Sequence, residues 1–177
     1  MSIHLILGGA RSGKSSRAEA EVQQLSPGRS KHYVATAMAF DSEMEKRIER
    51  HQQSRDTEWI EHECPRNLVE TIAQFGSQDV VLVDCLTLWL NNIIYFQGES
   101  LDATEIEVEV NKLVEALQTS SARIVLVSNE VGMGVVPLGE VSRVFVDHAG
   151  WMNQAVARVA NKVTLVSAGL PLILKGG

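Results

Sequence analysis

The sequence predicts an α/β fold in which a mainly parallel β-sheet is covered by helices on both faces. Short apolar runs alternate with helix-like segments along most of the 177 residues, and this alternation is typical of parallel strands joined by crossover helices. The run Asp79–Asp84 is rich in β-branched residues, as expected of a strand that is buried on both faces. Because such sheets bind ligands at the carboxyl ends of their strands, residues that follow each strand are candidates for a functional site.

The first half of the chain begins with a strand, a glycine-rich loop and a helix. Hydrophobic periodicity and turn residues give the order of the elements that follow. The predicted elements are a strand at Ile3–Leu7, a helix from Ser16, a strand at His32–Ala37, a helix at Ser42–Ser54, a strand at Thr57–Glu63 and a helix near Asn67–Phe75.

The second half continues the alternation after the Asp79–Asp84 strand. The predicted elements are helices at Leu86–Phe96 and Ala103–Thr119, a strand at Arg123–Val127, an irregular loop at Gly132–Pro137, a helix over about Gly139–Asn161 that is broken near Gly150, and strands at Val163–Val166 and Leu172–Leu174. Since the chain shows no internal repeat and no linker-like segment, we predict one domain over residues 1–177.

Composition and charge narrow the classes of function. The chain is 45% apolar with a formal net charge of −6, which is typical of a globular protein and provides no basic surface for nucleic acid or an anionic membrane. No apolar run reaches the roughly 20 residues of a membrane span, and the amino terminus lacks a signal-peptide pattern. The only cysteines, Cys64 and Cys85, have no CxxC spacing, so we expect a cytoplasmic protein.

The most specific motif is the segment GGARSGKS at residues 8–15. It matches the phosphate-binding pattern G-x-x-x-x-G-K-S/T in full and stands between a predicted strand and a predicted helix, as this loop requires. Glycines let backbone N–H groups close around a phosphate, and the following helix directs its positive end at the same group. A plain glycine-rich turn is the alternative, but it has no need of a lysine. The motif predicts a P-loop NTPase-like fold.

The motif also assigns chemical roles. In this pattern Lys14 contacts the β- and γ-phosphates and Ser15 binds Mg²⁺. Asp84 ends the buried strand and is the best candidate for the acidic partner of the loop, where it would coordinate Mg²⁺ or hold its water shell. We therefore expect Asp84 to lie beside the phosphate loop. A helix N-cap is the alternative role of this carboxylate.

A second candidate site lies on the predicted helix that begins at Ser42. Arg47, His51 and Arg55 follow one another at four-residue spacing and therefore share one helix face. Positive charges beside an imidazole favour its neutral, nucleophilic form, and guanidinium groups bind phosphate oxygens in a bidentate manner. Spacing alone leaves open a solvated basic face that carries an ordinary surface histidine.

Together, these segments resemble a known family. The phosphate loop, Ala35–Ala37, the Arg47-Ile48-x-x-His51 helix and Asn129–Pro137 are similar to the bifunctional adenosylcobinamide kinase / adenosylcobinamide-phosphate guanylyltransferase family of cobalamin biosynthesis. The Ala149-Gly150-x-x-Asn153-Gln154 segment adds to a resemblance that covers nearly the whole chain. The two later segments are more selective than the phosphate loop.

The resemblance implies two reactions that consume nucleoside triphosphates. In the first, a hydroxyl of adenosylcobinamide attacks the γ-phosphate of ATP or GTP, with Lys14 and Mg²⁺ stabilising the group in transfer. In the second, a histidine attacks the α-phosphorus of GTP, expels pyrophosphate and passes GMP to adenosylcobinamide-phosphate, which gives adenosylcobinamide-GDP. His51 occupies the family's guanylylated position. The resemblance also implies a homotrimer with its nucleotide and corrinoid sites near subunit boundaries.

The resemblance further implies which residues bind the nucleotide. They are Gly8, Gly9, Ala10, Arg11, Ser12, Gly13, Lys14, Ser15, Ala35, Thr36, Ala37, Gln52, Gln53, Ser54, Arg55, Glu63 and Asp84. His51 and Lys14 are the predicted catalytic residues, and Ser15 and Asp84 are the predicted Mg²⁺ ligands. Glu63 has the alternative of facing solvent. Some relatives carry paired histidines where this chain has Arg50-His51, a difference that changes the charge beside the nucleophile.

Two other functions stay open on the sequence. Another small-molecule kinase with a phosphate loop would use Lys14, Ser15 and Asp84 but no covalent histidine. A GTP-dependent regulatory module would read guanine with an Asn-Lys-x-Asp element. The nearest sequence is Asn161-Lys162-Val163-Thr164, which lacks the acid, so the regulatory module is the less favoured of the two.

Several other residues have structural interpretations. Trp89 lies on an apolar helix stripe, which favours a core or subunit-interface position over a corrinoid site. Met133 lies between two glycines and is either packed in its loop or in contact with substrate. The remaining histidines are expected to be structural or exposed: His4, His32, His62 and His148.

Overall fold

The computed structural model describes residues 2–38, 58–98 and 102–176. Within these residues seven strands form one sheet: β1 (Ser2–Gly8), β2 (Ser30–Ala35), β3 (Trp59–Glu63), β4 (Asp79–Asp84), β5 (Arg123–Asn129), β6 (Lys162–Ser167) and β7 (Leu170–Lys175). The strand order is β3-β2-β4-β5-β1-β6-β7. All neighbouring strands are parallel except β6 and β7, which form an antiparallel hairpin. The predicted mainly parallel sheet is confirmed.

Helices cover both faces of this sheet. They are α1 (Lys14–Leu25), α2 (Leu68–Ile72), α3 (Leu86–Gln97), α4 (Ala103–Thr119) and α5 (Glu140–Val159). Side chains of β1 alternate between the faces, as a strand requires: Ile6 packs with Ala18 and Val22 of α1, whereas Leu5 belongs to the larger core beneath the other helices. No helix in the described ranges is long and apolar enough to cross a membrane.

The last long helix differs from its prediction. We expected a break near Gly150, but α5 runs without interruption from Glu140 to Val159, so that prediction is wrong. Glycine in a helix interior costs about 1 kcal/mol relative to alanine. The buried face that carries Met152 and Val156 offsets this cost, because tertiary packing of an apolar face supplies most of the stability of helices in proteins.

The other predicted elements agree with the structure to within a few residues, apart from two. The helix predicted near Asn67–Phe75 is present but shorter, at Leu68–Ile72. The helix predicted at Ser42–Ser54 lies outside the described residues. Trp89 is fully buried in the larger core, and its indole Nε1 donates a hydrogen bond to the carbonyl oxygen of Arg66 at 2.8 Å. The core interpretation of Trp89 is therefore confirmed.

Candidate active site

The phosphate loop connects β1 to α1 at the carboxyl edge of the sheet. Gly13 caps α1 with a φ of 96°, a left-handed conformation that glycine adopts without strain. Lys14 is the first helical residue and is buried. Its Nζ donates a hydrogen bond to the carbonyl oxygen of Gly9 at 3.0 Å. The lysine thus folds back over the loop, with its ammonium group at the loop's own backbone.

The loop is held against the turn between β6 and β7. Gly169 donates its N–H to the carbonyl oxygen of Ser12 at 2.8 Å. A Cβ on Gly8 would lie 2.4 Å from Ser12 Oγ and 2.7 Å from the carbonyl oxygen of Val166, so the start of the loop admits only glycine. Ser12 Oγ is buried and has no hydrogen-bond partner in the described part of the chain. Because buried hydroxyls are rarely left unpaired, this group fits one that bonds to a ligand.

The tip of the loop is open to solvent. Gly9, Ala10 and Arg11 are exposed, and Arg11 has a φ of 56°, which is uncommon for a residue with a side chain. Ser15 is half-buried in the first turn of α1. The structure thereby brings the whole predicted loop together at one end of β1.

Asp84 is separated from the phosphate loop by one strand. β5 lies between β1 and β4, so the strands that carry the loop and Asp84 do not pair directly. The chain order hides this insertion because β5 comes later in the sequence yet pairs with both strands. Asp84 is half-buried, and its Oδ2 accepts a hydrogen bond from the Tyr33 hydroxyl at 3.1 Å. The N-cap of α3 is Cys85 and not Asp84.

The strand register aligns several predicted site residues along the carboxyl edge. Gly8 is level with Asn129 on β5, and Ala35 is level with both Asp84 and Glu63. Glu63 is exposed at the end of β3. From the phosphate loop outward, this edge therefore carries the Asn129 amide on β5, the Asp84 carboxylate on β4 and the Glu63 carboxylate on β3.

Thr36 joins two elements of this edge. Its side chain is fully buried, and its Oγ1 donates to the carbonyl oxygen of Cys85 at 2.7 Å and accepts from the Cys85 N–H at 2.8 Å. The Asp84–Cys85 peptide bond at this contact is cis. The Thr36 hydroxyl thus links the end of β2 to the start of α3, whereas Ala35 and Ala37 are half-buried.

An amide network beside the loop was not predicted from the sequence. Asn129 Nδ2 donates to Thr87 Oγ1 at 2.8 Å. Asn153 of α5 is buried, donates from Nδ2 to the carbonyl oxygen of Asn129 at 3.2 Å and accepts from Ser128 Oγ at 2.7 Å. The available signals were an asparagine at the end of an apolar strand and a lone amide on the apolar face of a helix. Neither indicates that the two residues meet.

The cysteines offer no alternative nucleophile. Both are free and buried. Burial, with a smaller contribution from the charge of Asp84, raises the pKa of the Cys85 thiol, and burial likewise raises the pKa of Cys64. The thiolate is the reactive form of cysteine, so both thiols are held in their unreactive form.

The second predicted site lies outside the described residues. This holds for His51, for its neighbours Arg47 and Arg55, and for the predicted nucleotide contacts Gln52, Gln53 and Ser54.

A protein family matches residues 4–174 of the chain, and its description is cobinamide kinase / cobinamide phosphate guanyltransferase. The chain belongs to this family. It is a bifunctional kinase and guanylyltransferase of adenosylcobalamin biosynthesis. Family membership decides between the functions that the sequence left open: the simple kinase and the GTP-dependent regulatory module are both wrong.

Relatives of this cobinamide kinase and guanylyltransferase match over nearly their full length. The bifunctional adenosylcobalamin biosynthesis protein CobP of Pseudomonas aeruginosa is 46% identical over 173 residues, which cover 97% of this chain and 96% of the relative. The corresponding CobU proteins of Escherichia coli and Salmonella typhimurium are 40% and 37% identical, and each match covers 97% of this chain and 98% of the relative.

A solved structure supports the fold class. The flagellar accessory protein FlaH of Methanocaldococcus jannaschii superposes with a TM-score of 0.50 at 15% sequence identity, over 98% of this chain and 78% of that protein. At this identity the likeness concerns the fold alone. It agrees with the phosphate-loop NTPase architecture of the kinase and guanylyltransferase.

Proposed function

We propose that the phosphate loop presents the γ-phosphate of ATP or GTP to the terminal hydroxyl of adenosylcobinamide. The hydroxyl oxygen bonds to the γ-phosphorus and releases its proton to water, the bond from that phosphorus to the β–γ bridging oxygen breaks, and the nucleoside diphosphate leaves. Lys14 stabilises the charge on the group in transfer. The observation that carries this proposal is the folded loop, in which Lys14 Nζ lies 3.0 Å from the Gly9 carbonyl oxygen.

Ser15 and Asp84 fit a magnesium ion that arrives with the nucleotide. Both offer hard oxygen donors, and Asp84 Oδ2 is oriented by the Tyr33 hydroxyl. Among the described residues no cluster of three or more histidines, cysteines or acids could hold a metal. This donor set suits Mg²⁺, which commonly takes one or two protein oxygens and completes its shell with phosphate and water. The bound ion would neutralise charge on the phosphates.

The guanylyl transfer is proposed to pass through His51. Its imidazole nitrogen attacks the α-phosphorus of GTP, the bond from that phosphorus to the α–β bridging oxygen breaks, and pyrophosphate leaves. A phosphate oxygen of adenosylcobinamide-phosphate then attacks the same phosphorus, and the P–N bond to His51 breaks. Arg47 and Arg55, at four-residue spacing on either side, would keep the imidazole neutral and neutralise the charge that develops on the phosphate.

The remaining predicted residues are proposed to contact the nucleotide along the carboxyl edge. Glu63 and Asp84 are both level with Ala35 in the strand register, which gives a continuous path from the phosphate loop to the end of β3. Thr36 donates its N–H to the carbonyl oxygen of Asp84, and its own carbonyl oxygen accepts from Asn92 Nδ2, so we assign it the role of holding this edge in place for the nucleotide. We assign Ala37 to the surface through its backbone, and Gln52–Arg55 through their proximity in sequence to His51.

We further propose that the protein is one domain that forms a homotrimer in the cytoplasm. Support for association of copies comes from β7, an edge strand whose apolar side chains Leu170, Leu172, Ile173 and Leu174 are each at least half exposed. Exposed apolar edges are costly in water and are commonly covered in an assembly. The two free thiols suit a reducing compartment.

Covalent labelling tests the histidine mechanism. We expect the protein to acquire label when it is incubated with Mg²⁺ and GTP labelled at the α-phosphate, and a phosphoramidate predicts that this label is acid-labile and alkali-stable. His51→Asn should abolish labelling. His148→Asn is the matched control, since His148 lies on α5 with its Nδ1 2.8 Å from the Val144 carbonyl oxygen, and it should label normally.

The same variants separate the two reactions. His51→Asn should keep adenosylcobinamide kinase activity, whereas Lys14→Ala should lose it by about 100-fold or more. Undiminished labelling of His51→Asn would contradict the guanylyl-histidine, and full kinase activity in Lys14→Ala would contradict the role of the phosphate loop.

A further inference from the structure

The segment from Gly132 to Leu138 exposes a run of apolar side chains. Met133, Val135, Val136 and Leu138 are 79%, 96%, 73% and 98% exposed. No charged residue stands between Glu130 and Glu140. Packing within the loop, one interpretation of Met133, is thus wrong for this side chain. A contiguous exposed apolar surface marks a binding site, and we refer to residues 132–138 as the apolar segment.

The apolar segment starts at the phosphate loop. It continues from β5, whose last residue Asn129 is level with Gly8, and Glu130 donates its N–H to the carbonyl oxygen of Gly8 at 3.2 Å. β5 lies on the side of β1 that faces β4 and Asp84. A molecule seated on this segment therefore lies next to the place where the loop and Asp84 would hold the terminal phosphate.

Hydrogen bonds fix both ends of the apolar segment. Glu130 Oε1 accepts from the Gly132 N–H at 3.2 Å, and Arg143 Nη1 of α5 donates to the carbonyl oxygens of Pro137 and Leu138. A Cβ on Gly134 would meet no atom within 4 Å, so the space beside the segment is open. These bonds hold the Gly132 N–H and the Pro137 and Leu138 carbonyls at the two ends, while the apolar side chains between them are exposed, as a surface open to an apolar ligand requires.

We propose that the apolar segment binds the corrin ring of the acceptor, adenosylcobinamide or its phosphate. This assignment rests on the proposed role of the phosphate loop, because that role places the acceptor hydroxyl at the segment's origin. A corrin is a broad macrocycle whose rim carries methyl and methylene groups between its amide side chains, and its aminopropanol arm carries the reacting hydroxyl away from the ring. The uncharged, apolar segment matches these methyl and methylene groups, and the arm bridges the distance from the ring to the phosphate.

Direct binding to the intact protein tests the proposal. Cobinamide absorbs visible light, so ultrafiltration gives its Kd without a reaction. We expect the double variant Val135→Ser/Val136→Ser to raise this Kd about tenfold, because two apolar contacts are lost, and to leave the Kd of Mg·GTP unchanged. Val108→Ser is the matched control: it removes a valine that is 46% exposed on α4 and should alter neither value.

Three results would overturn the proposal. An unchanged Kd for cobinamide would show that the segment does not touch the ring. Equal weakening of cobinamide and Mg·GTP would show an effect through the phosphate loop. Dissociation of the oligomer in sedimentation would identify the segment as an interface between copies. The variant Lys14→Ala tests the proposed role of the phosphate loop separately. Intact Mg·GTP binding in that variant would refute the role of the loop, while the cobinamide measurement would still decide whether the apolar segment binds the ring.

Discussion

At the scale of single residues, His4 links the helix of the phosphate loop to the sheet. The imidazole is 4% exposed, with Nδ1 3.2 Å from Glu21 Oε1 on α1 and Nε2 2.9 Å from Thr164 Oγ1 on β6. Lys162 Nζ lies 3.5 Å from the same Glu21 oxygen. The sequence predicted a structural or exposed histidine, and its structural role is confirmed.

This cluster makes the stability of the protein depend on pH. Burial lowers the pKa of His4, and the charge of Glu21 only partly opposes the shift, while Lys162 and Arg17 add to it. As the pH falls below the ordinary value of about 6.5, the unfolded chain takes up a proton that the folded chain resists. The free energy of unfolding is therefore expected to fall as the pH drops.

Urea unfolding of His4→Gln at about pH 7.5 and about pH 5.5 checks this expectation. The variant should lose less stability between the two values than the wild-type protein, since glutamine does not titrate. Part of the loss of stability at low pH should persist in His4→Gln, because burial and the neighbouring His32 also lower the pKa of His62. His148→Gln, outside this cluster, should behave like the wild type. An equal decline in His4→Gln would contradict the prediction.

At the scale of elements, α5 carries a glycine that its packing tolerates. A Cβ on Gly150 would meet no atom within 4 Å outside its own helix. We expect Gly150→Ala to raise the free energy of unfolding by about 0.5–1 kcal/mol, because alanine loses less backbone entropy in a helix. Tm should rise by about 1–4 °C.

Gly98→Ala is the matched control for this change. A Cβ at Gly98 would also meet open space, but φ is 59° and ψ is −131° there, a strained conformation that costs an L-residue about 1–3 kcal/mol. In thermal denaturation, Gly98→Ala should therefore have a lower Tm than the wild-type protein. If Gly150→Ala also destabilises the protein, α5 is strained at this position and the packing argument fails.

At the scale of the whole molecule, the exposed apolar edge strand β7 predicts that copies of the chain associate. We expect the wild-type protein to sediment at about three times its chain mass of 19.4 kDa. Leu172→Lys should shift it toward 19.4 kDa, because a charge on an apolar edge strand opposes association. Val108→Lys, at an exposed valine on α4, should leave the mass unchanged. A monomeric wild-type protein would contradict the trimer.

The sequence alone determined the local features of the protein. The strand, loop and helix around residues 8–15, the Asp79–Asp84 strand and the family were all predictable, because periodicity, glycine placement and motif spacing are properties of neighbouring residues.

Only the tertiary structure decided how distant segments meet. In the tertiary structure, β5 lies between β1 and β4, and Asn129 is level with Gly8. Asn153 forms a hydrogen bond with β5, α5 is continuous through Gly150, and the Val135 side chain is exposed to solvent. The physical reason is that strand order and burial follow from long-range pairing and packing, which local patterns do not encode.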